Sequence, residues 1–150
     1  MKILFLDVDG VMNCQGTFTK DPNQHFPIDP YMAFLIGKIQ LETDCKIVLS
    51  SSWRHHKASV EHIHNRIVSI YDQTGDEPYD KDRPGAEGCQ RGREIKTWLD
   101  NSKYKVDKYA ILDDDSDMLP EQLPNFFKTQ WLVGITDEIA MAVIRHLNNE

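Results

Sequence analysis

The chain opens on an apolar run that ends in two carboxylates: Lys2-Ile3-Leu4-Phe5-Leu6-Asp7-Val8-Asp9-Gly10-Val11. A short, near-continuous hydrophobic run marks a strand buried on both faces of a parallel sheet, and in open α/β sheets ligands bind just beyond the carboxyl ends of such strands. Asp7 and Asp9 fall at that edge. Residues i and i+2 of an extended chain share a side, so both carboxylates can face one bound group, and Gly10 lets the chain turn away. Two anions set together at the tip of an apolar strand repel, and a cation or a proton must reconcile them. A hard divalent ion such as Mg2+ suits the arrangement, because it takes oxygen ligands and brings substrate phosphate into its shell. Without further context the same Asp-x-Asp-Gly also reads as a solvated turn.

Periodicity places strands near 2–7, 45–50, 67–71, 108–112 and 130–133, alternating with helices near 30–42, 54–65, 92–101 and 136–148. That alternation predicts an α/β fold, a Rossmann-like parallel sheet with helices on both faces, and 150 residues suit one domain, 1–150. The last helix is signalled by Thr136 as N-cap, Asp137 and Glu138 in its first turn, and Ile139, Ala142, Val143 and Leu147 at helical spacing. Pro120 and Pro124 bound a loop, with Leu119, Leu123 and Phe126 as its expected apolar anchors.

Two further strand ends carry polar clusters. One is Cys45-Lys46-Ile47-Val48-Leu49-Ser50-Ser51-Ser52-Trp53-Arg54, the other Tyr109-Ala110-Ile111-Leu112-Asp113-Asp114-Asp115-Ser116-Asp117-Met118. Between them a helix begins Arg91-Gly92-Arg93-Glu94-Ile95-Lys96. With Asp-Val-Asp-Gly-Val, these segments resemble the signatures of the haloacid dehalogenase (HAD) superfamily of phosphohydrolases over residues 2 to 135. The Ser-Ser-Ser-Trp-Arg turn, the Arg-x-x-Glu-Ile-x-x-Trp-Leu helix and the Asp-Asp-Asp strand end look like the HAD domains of multi-domain RNA-repair proteins.

The resemblance implies a nucleophile at Asp7, a general acid/base at Asp9, a phosphoryl-binding hydroxyl at Ser50, and Mg2+ held by Asp7, Asp9, Asp113 and Asp114, with Asp113 favoured over Asp114 as the direct ligand. The family's third signature is usually Lys, and here the basic role falls on Arg91, with Arg93 and Lys96 as rivals. A guanidinium fork can neutralise phosphate where Lys acts as a point charge, so the chemistry tolerates the exchange. Dehalogenases lack a second Asp and the ATPase branch resembles Asp-Lys-Thr there, so Asp9 points to a phosphatase or phosphomutase.

The expected substrate contacts are Ser51, Trp53, Arg54 and Arg93. Trp53 and Arg54 lie where an aromatic and a cation could flank a base or sugar, although core packing suits Trp53 equally. Residues 13–29 and 72–90 are too short for a cap domain, which leaves a site open apart from a flap at 13–29. An open site admits a large substrate, and the leading expectation is a 5′ or 3′ phosphate at a polynucleotide end, with a nucleotide or small phosphoester as the alternative. A non-catalytic phosphate-binding module is a further reading. The formal charge of −7 opposes nucleic acid. From 81 to 108, however, eight basic residues (Lys81, Arg83, Arg91, Arg93, Lys96, Lys103, Lys105, Lys108) face five acidic ones (Asp82, Glu87, Glu94, Asp100, Asp107), a local excess of three that a solvated helix face would also explain.

His55, His56, His62 and His64 lack metal-ligand spacing and are read as helix histidines, and the acidic cluster lacks the Gly and closing Glu of an EF-hand loop. No apolar stretch reaches 18 residues, and Cys14, Cys45 and Cys89 form no disulfide framework, so the expectation is a cytoplasmic protein without membrane span or signal peptide.

Overall fold

The computed structural model describes residues 1–20, 27–66, 69–77 and 89–150. Strands β1 (Lys2–Leu6), β2 (Lys46–Leu49), β3 (Ile70–Gln73), β4 (Lys108–Asp113) and β5 (Phe126–Lys128) form one sheet in the order β3-β2-β1-β4-β5, every pairing parallel. Its helices are α1 (Gln15–Lys20), α2 (Pro30–Thr43), α3 (Lys57–His64), α4 (Gln90–Asn101) and α5 (Asp137–Asn148). This is the Rossmann-like α/β architecture that the alternating pattern predicts. From β1 the chain builds outward through β2 and β3, then returns to place β4 and β5 on the other side. The reversal between β1 and β4 is a topological switch point, where open α/β sheets form their ligand crevice.

Side-chain alternation divides the core. Leu4, Leu6, Ile47, Leu49 and Leu112 pack under α2 and α5 against Leu35, Ile36, Ile39, Val143 and Leu147. Ile3, Phe5, Val48 and Ile111 face α4, where Ile95 is buried and the Trp98 ring meets Phe5 edge-on at 5.4 Å. The ladder continues past the strand ends, with Asp7 N–H donating to Leu112 O at 3.0 Å and Ser50 N–H to Leu6 O at 2.9 Å. Asp7 therefore continues the series of Ile3 and Phe5, Ser50 that of Val48, and Asp113 that of Ile111. Parity aims all three at the face covered by α4.

Local chemistry sets the helix boundaries. Asp29 caps α2 by accepting from the Tyr31 and Met32 amides with Pro30 in the first turn, and Thr136 caps α5 by accepting from Ile139 N–H. The helix expected over 54–65 is broken: Ser52–His55 form a 3₁₀ turn, His56 is extended, and α3 starts at Lys57. Ser59 Oγ donates to both Trp53 O and His56 O, which fixes the break.

The last strand corrects the sequence reading. It is Phe126–Lys128, paired with Ile111–Asp113, whereas 130–133 form a turn closed by the Gln130–Gly134 bridge. Trp131, Leu132 and Val133 are exposed; Trp131 meets Phe18 of α1, a helix that the pattern does not announce, at 5.3 Å. Leu123 is likewise exposed, and Met118 is the buried anchor of the loop, whose Pro120–Asn125 segment is a 3₁₀ helix. Residues 67–68 of the expected third strand, 21–26 of the flap, and Lys81, Asp82, Arg83 and Glu87 of the basic stretch lie outside the described residues.

Gly92 holds α4 against the loop after β4. A Cβ there would stand 2.6 Å from both Gln122 Oε1 and the Leu119 backbone nitrogen. Replacing a helical Gly with Ala ordinarily gains about 1 kcal/mol. Here overpacking should reverse the sign, and Gly92→Ala should cost about 1–3 kcal/mol, read as a fall of several degrees in Tm. A raised Tm would show that α4 does not need this close approach.

Candidate active site

Three strand ends and one helix start meet at the switch point. Asp7 follows β1, Ser50 follows β2, Asp113 ends β4, and Arg91 lies in the first turn of α4. Asp7, Ser50 and Asp113 are buried. Carboxylate oxygens of Asp7, Asp113 and Asp114 all lie within 4.8 Å of one another. Gly10, at φ +71°, makes this possible: a Cβ there would stand 2.3 Å from Asp114 Oδ2.

Arg91 is the basic residue that reaches these acids. Its Nε lies 3.4 Å from Asp113 Oδ2, Nη2 3.9 Å from Asp7 Oδ1 and Nη1 3.6 Å from Glu94 Oε2. Arg93 instead donates to Gln90 Oε1 at 2.9 Å, and Lys96 pairs with Asp100 at 2.8 Å on the solvent side. Asp117 anchors the helix start, its Oδ2 accepting from Arg91 N–H at 2.9 Å and its carbonyl from Gly92 N–H at 3.0 Å. That carboxylate does the work of an N-cap on a helix whose own cap residue, Cys89, makes no side-chain cap bond.

Asp9 is held from both sides. Asn13 Nδ2 donates to its Oδ1 at 2.8 Å and Trp53 Nε1 to its Oδ2 at 2.9 Å. Asn13 is fully buried and also accepts from Gly10 N–H at 3.0 Å and donates to Pro27 O at 3.1 Å, tying the turn after β1 to the start of α2. No motif singles out Asn13, whose signal in the sequence is a lone amide just past an apolar run. Trp53 is buried with its N–H on Asp9 and presents no open face for stacking. Arg54 is buried and committed to Glu94 Oε1 at 3.0 Å, Asp76 Oδ1 at 2.7 Å and the Ser51 carbonyl at 2.9 Å. Ser51 is buried, caps the 3₁₀ turn through Trp53 N–H, and its side chain lies against Asp7.

The electrostatics suit a bound cation. Burial lifts the Asp7 carboxyl to about 6 despite the opposing charge of Arg91. Burial, with the negative charge of Asp7 next in weight, lifts Asp113 to about 8. Asp114 is raised too, chiefly by burial. Asp113 Oδ1 accepts from Asp115 N–H, while its buried Oδ2 accepts no hydrogen bond among the described residues, since Arg91 Nε stands close without bonding geometry. An all-oxygen set with an orphaned, ionisable oxygen fits a hard divalent cation such as Mg2+. The Ser50 hydroxyl is also buried without a partner among the described residues. A buried unpaired donor costs about 1–3 kcal/mol, which a bound phosphoryl oxygen would offset.

A family model described as the HAD domain in Swiss Army Knife RNA repair proteins matches residues 3–140. No curated protein and no solved structure matches the chain.

The raised carboxyls give a prediction that needs no substrate. With folded-state values of about 6 and about 8 against an ordinary 3.8, Asp7 and Asp113 favour the fold while protonated, and that contribution is lost as pH rises through those values. Mg2+ binds the ionised form. The gain in Tm on adding Mg2+ should therefore be small at pH 5 and grow toward pH 8, and Asp113→Asn should remove most of it. A gain that ignores pH, or survives in Asp113→Asn, would place the cation elsewhere.

Proposed function

Because the chain belongs to the HAD domains of Swiss Army Knife RNA repair proteins, we propose that it is a Mg2+-dependent phosphomonoester hydrolase that works through an aspartyl phosphate, acting on a 5′ or 3′ phosphate at a polynucleotide end. The observation that carries this reading is the convergence of Asp7, Arg91 and the Ser50 hydroxyl, which has no partner among the described residues, at one end of the sheet. That set offers a nucleophile, a countercharge and a donor for one phosphoryl group.

The residues fit the chemistry. Asp7, Asp113, Asp114 and the Asp9 backbone carbonyl would hold Mg2+, which when bound screens the repulsion between an attacking carboxylate and a phosphate dianion. Arg91 and Ser50 orient the phosphoryl oxygens. An Asp7 oxygen attacks phosphorus as the ester P–O bond breaks, and the Asp9 carboxyl gives its proton to the leaving oxygen. Asp9 then takes a proton from water as that water attacks phosphorus, which releases inorganic phosphate and restores Asp7. The Asn13 and Trp53 donors keep Asp9 aimed through both steps. A site that merely bound phosphate would have no use for a second carboxylate clamped in this way.

The polynucleotide part of the reading has its own support. Between β3 and the second half of α4 lies a cavity of about 510 Å³ whose lining includes Tyr71, Trp98, Lys103 and Tyr104, with Tyr71 and Tyr104 exposed and Asp72 held by the Trp98 N–H at 2.8 Å. Aromatic faces beside a cation suit stacked bases and a tracking phosphate backbone.

Two predictions test the two levels. Asp7→Asn should abolish turnover of p-nitrophenyl phosphate with the fold intact. Trp53→Phe, which removes one donor to Asp9, should slow an alkyl phosphate at least tenfold more than p-nitrophenyl phosphate, whose leaving group needs little protonation. Turnover by folded Asp7→Asn would end the aspartyl-phosphate reading, and equal losses on both esters would remove Trp53 from acid catalysis.

For the substrate, kcat/KM on an end-phosphorylated oligonucleotide should fall steeply with salt, and Lys103→Ala should flatten that slope by about one counterion. Salt-independent activity that does not distinguish oligonucleotide from mononucleotide would favour the small-phosphoester alternative.

A further inference from the structure

Arg91, which reaches the proposed nucleophile, also lines a cavity of about 210 Å³. It is smaller than the roughly 300–1,000 Å³ that encloses a whole drug-sized ligand, so it takes part of a substrate whose phosphate lies elsewhere. Arg91 forms a wall of this cavity and also reaches Asp7, so whatever enters is attached close to the phosphoryl group.

The charges on its walls decide what that part is. Two guanidiniums, Arg54 and Arg91, stand among three carboxylates, Asp76, Glu94 and Asp117. Both guanidiniums are paired with buried Glu94, at 3.0 Å and 3.6 Å, and Asp117 is occupied by the Arg91 amide at 2.9 Å. Among the described lining residues, a second phosphate or a carboxylate would meet three carboxylates against two guanidiniums, both already facing Glu94. An apolar group would strip water from these charged walls and offer no hydrogen bond in return.

Neutral hydroxyls suit them. At the mouth, the exposed Asp76 carboxylate accepts from Arg54 at 2.7 Å and lies 3.3 Å from His55 Nε2, with exposed Ser52 beside them. An anionic acceptor next to a hydroxyl and an imidazole can satisfy both the donor and the acceptor side of an alcohol.

We infer that this cavity is a sugar-hydroxyl subsite, in which Asp76, His55 and Ser52 read the ribose hydroxyls of the nucleotide that carries the scissile phosphate. The subsite makes the protein selective for ribose over deoxyribose ends. It rests on the phosphatase reading for the place of the phosphate, and it applies equally to an RNA end and to a free ribonucleotide, which share this chemistry. The 2′-hydroxyl is the group that distinguishes RNA from DNA at a single site.

The test compares matched ribo and 2′-deoxy substrates on the same protein, so that any general loss in phosphate handling cancels in the ratio. Adenosine 3′- and 5′-monophosphates, and the same nucleotides at the ends of short oligonucleotides, are assayed beside their 2′-deoxy forms. For at least one phosphate position the ribo form should be favoured about tenfold or more in kcat/KM, the scale of a hydrogen bond to a charged group. Asp76→Ala and, separately, His55→Ala should bring the ratio toward one. The oligonucleotide arm retaining the preference while the mononucleotide arm is not turned over identifies an RNA end as the source; the reverse identifies a free ribonucleotide.

Equal rates for ribo and deoxy substrates would overturn the subsite, and so would a preference that both variants keep. Affinities of the same nucleotides for Asp7→Asn, measured by calorimetry with Mg2+, separate this inference from the phosphatase reading. A ribo preference in binding without turnover of any ester leaves the subsite standing and removes the hydrolase. Turnover of p-nitrophenyl phosphate with no binding of either nucleotide does the opposite.

Discussion

The crowding of buried carboxylates around one guanidinium is the constraint on which the site depends. Asp7 and Asp113 belong to adjacent strands paired in register, and both are raised well above the ordinary carboxylate range. Left ionised and unpaired in an interior, such a pair would cost several kcal/mol. The fold accepts it because the sheet around it is over-determined. Both strands are buried through their last residues, and the ladder runs on beyond them to Asp7 N–H and Thr129 N–H. A sheet this well specified can carry a few strained electrostatic positions at its edge, which the proposed cation would relieve.

Arg91 makes only partial amends, because its guanidinium is divided. It faces Asp113, Asp7 and Glu94 at 3.4–3.9 Å, and none of these is a short charge-assisted bond. That looseness is useful in the proposed reaction, since an Arg locked onto one carboxylate would not turn toward an incoming phosphoryl group. What is held tightly is the backbone beneath it. Asp117 takes the Arg91 and Gly92 amides, and Gln122 reaches Gly92 O at 2.7 Å while accepting from Leu119 N–H. Glu94, fixed by Arg54, then limits how far the side chain can swing.

Much of this was legible in the sequence because it follows from short-range rules. Apolar runs that stop on a carboxylate at Asp7 and Asp113 and on a hydroxyl at Ser50 mark the three central strand ends, and parity along β1, β2 and β4 carries these residues to one face. The choice among Arg91, Arg93 and Lys96 was not legible, because helical spacing leaves the rotation of α4 open until Ile95 and Trp98 find their places against Phe5. Trp53 was ambiguous for a similar reason: an indole packs in a core and donates a hydrogen bond with the same residue, and only the tertiary position of Asp9 shows that it does both. The misplaced last strand arose from hydrophobicity itself. Trp131-Leu132-Val133 has the composition of a strand, yet Phe126 and Phe127 reach the β4 edge first and leave the later run on the surface.

Positions that cost stability coincide with those assigned a partner in the proposed reaction. Ser50 Oγ and Asp113 Oδ2 are buried and unsatisfied among the described residues, although each sits in an otherwise well-bonded strand end. Asp9, by contrast, is provided with two neutral donors. The difference follows from what each atom must do. In the proposed reaction, a hydroxyl that is to meet a phosphoryl oxygen and a carboxylate that is to meet a cation gain most when nothing in the protein competes for them, whereas a group that is to carry a proton must stay aimed throughout. Two donors from separate segments fix the direction of Asp9 before a substrate arrives, which is what the proposed proton transfers require.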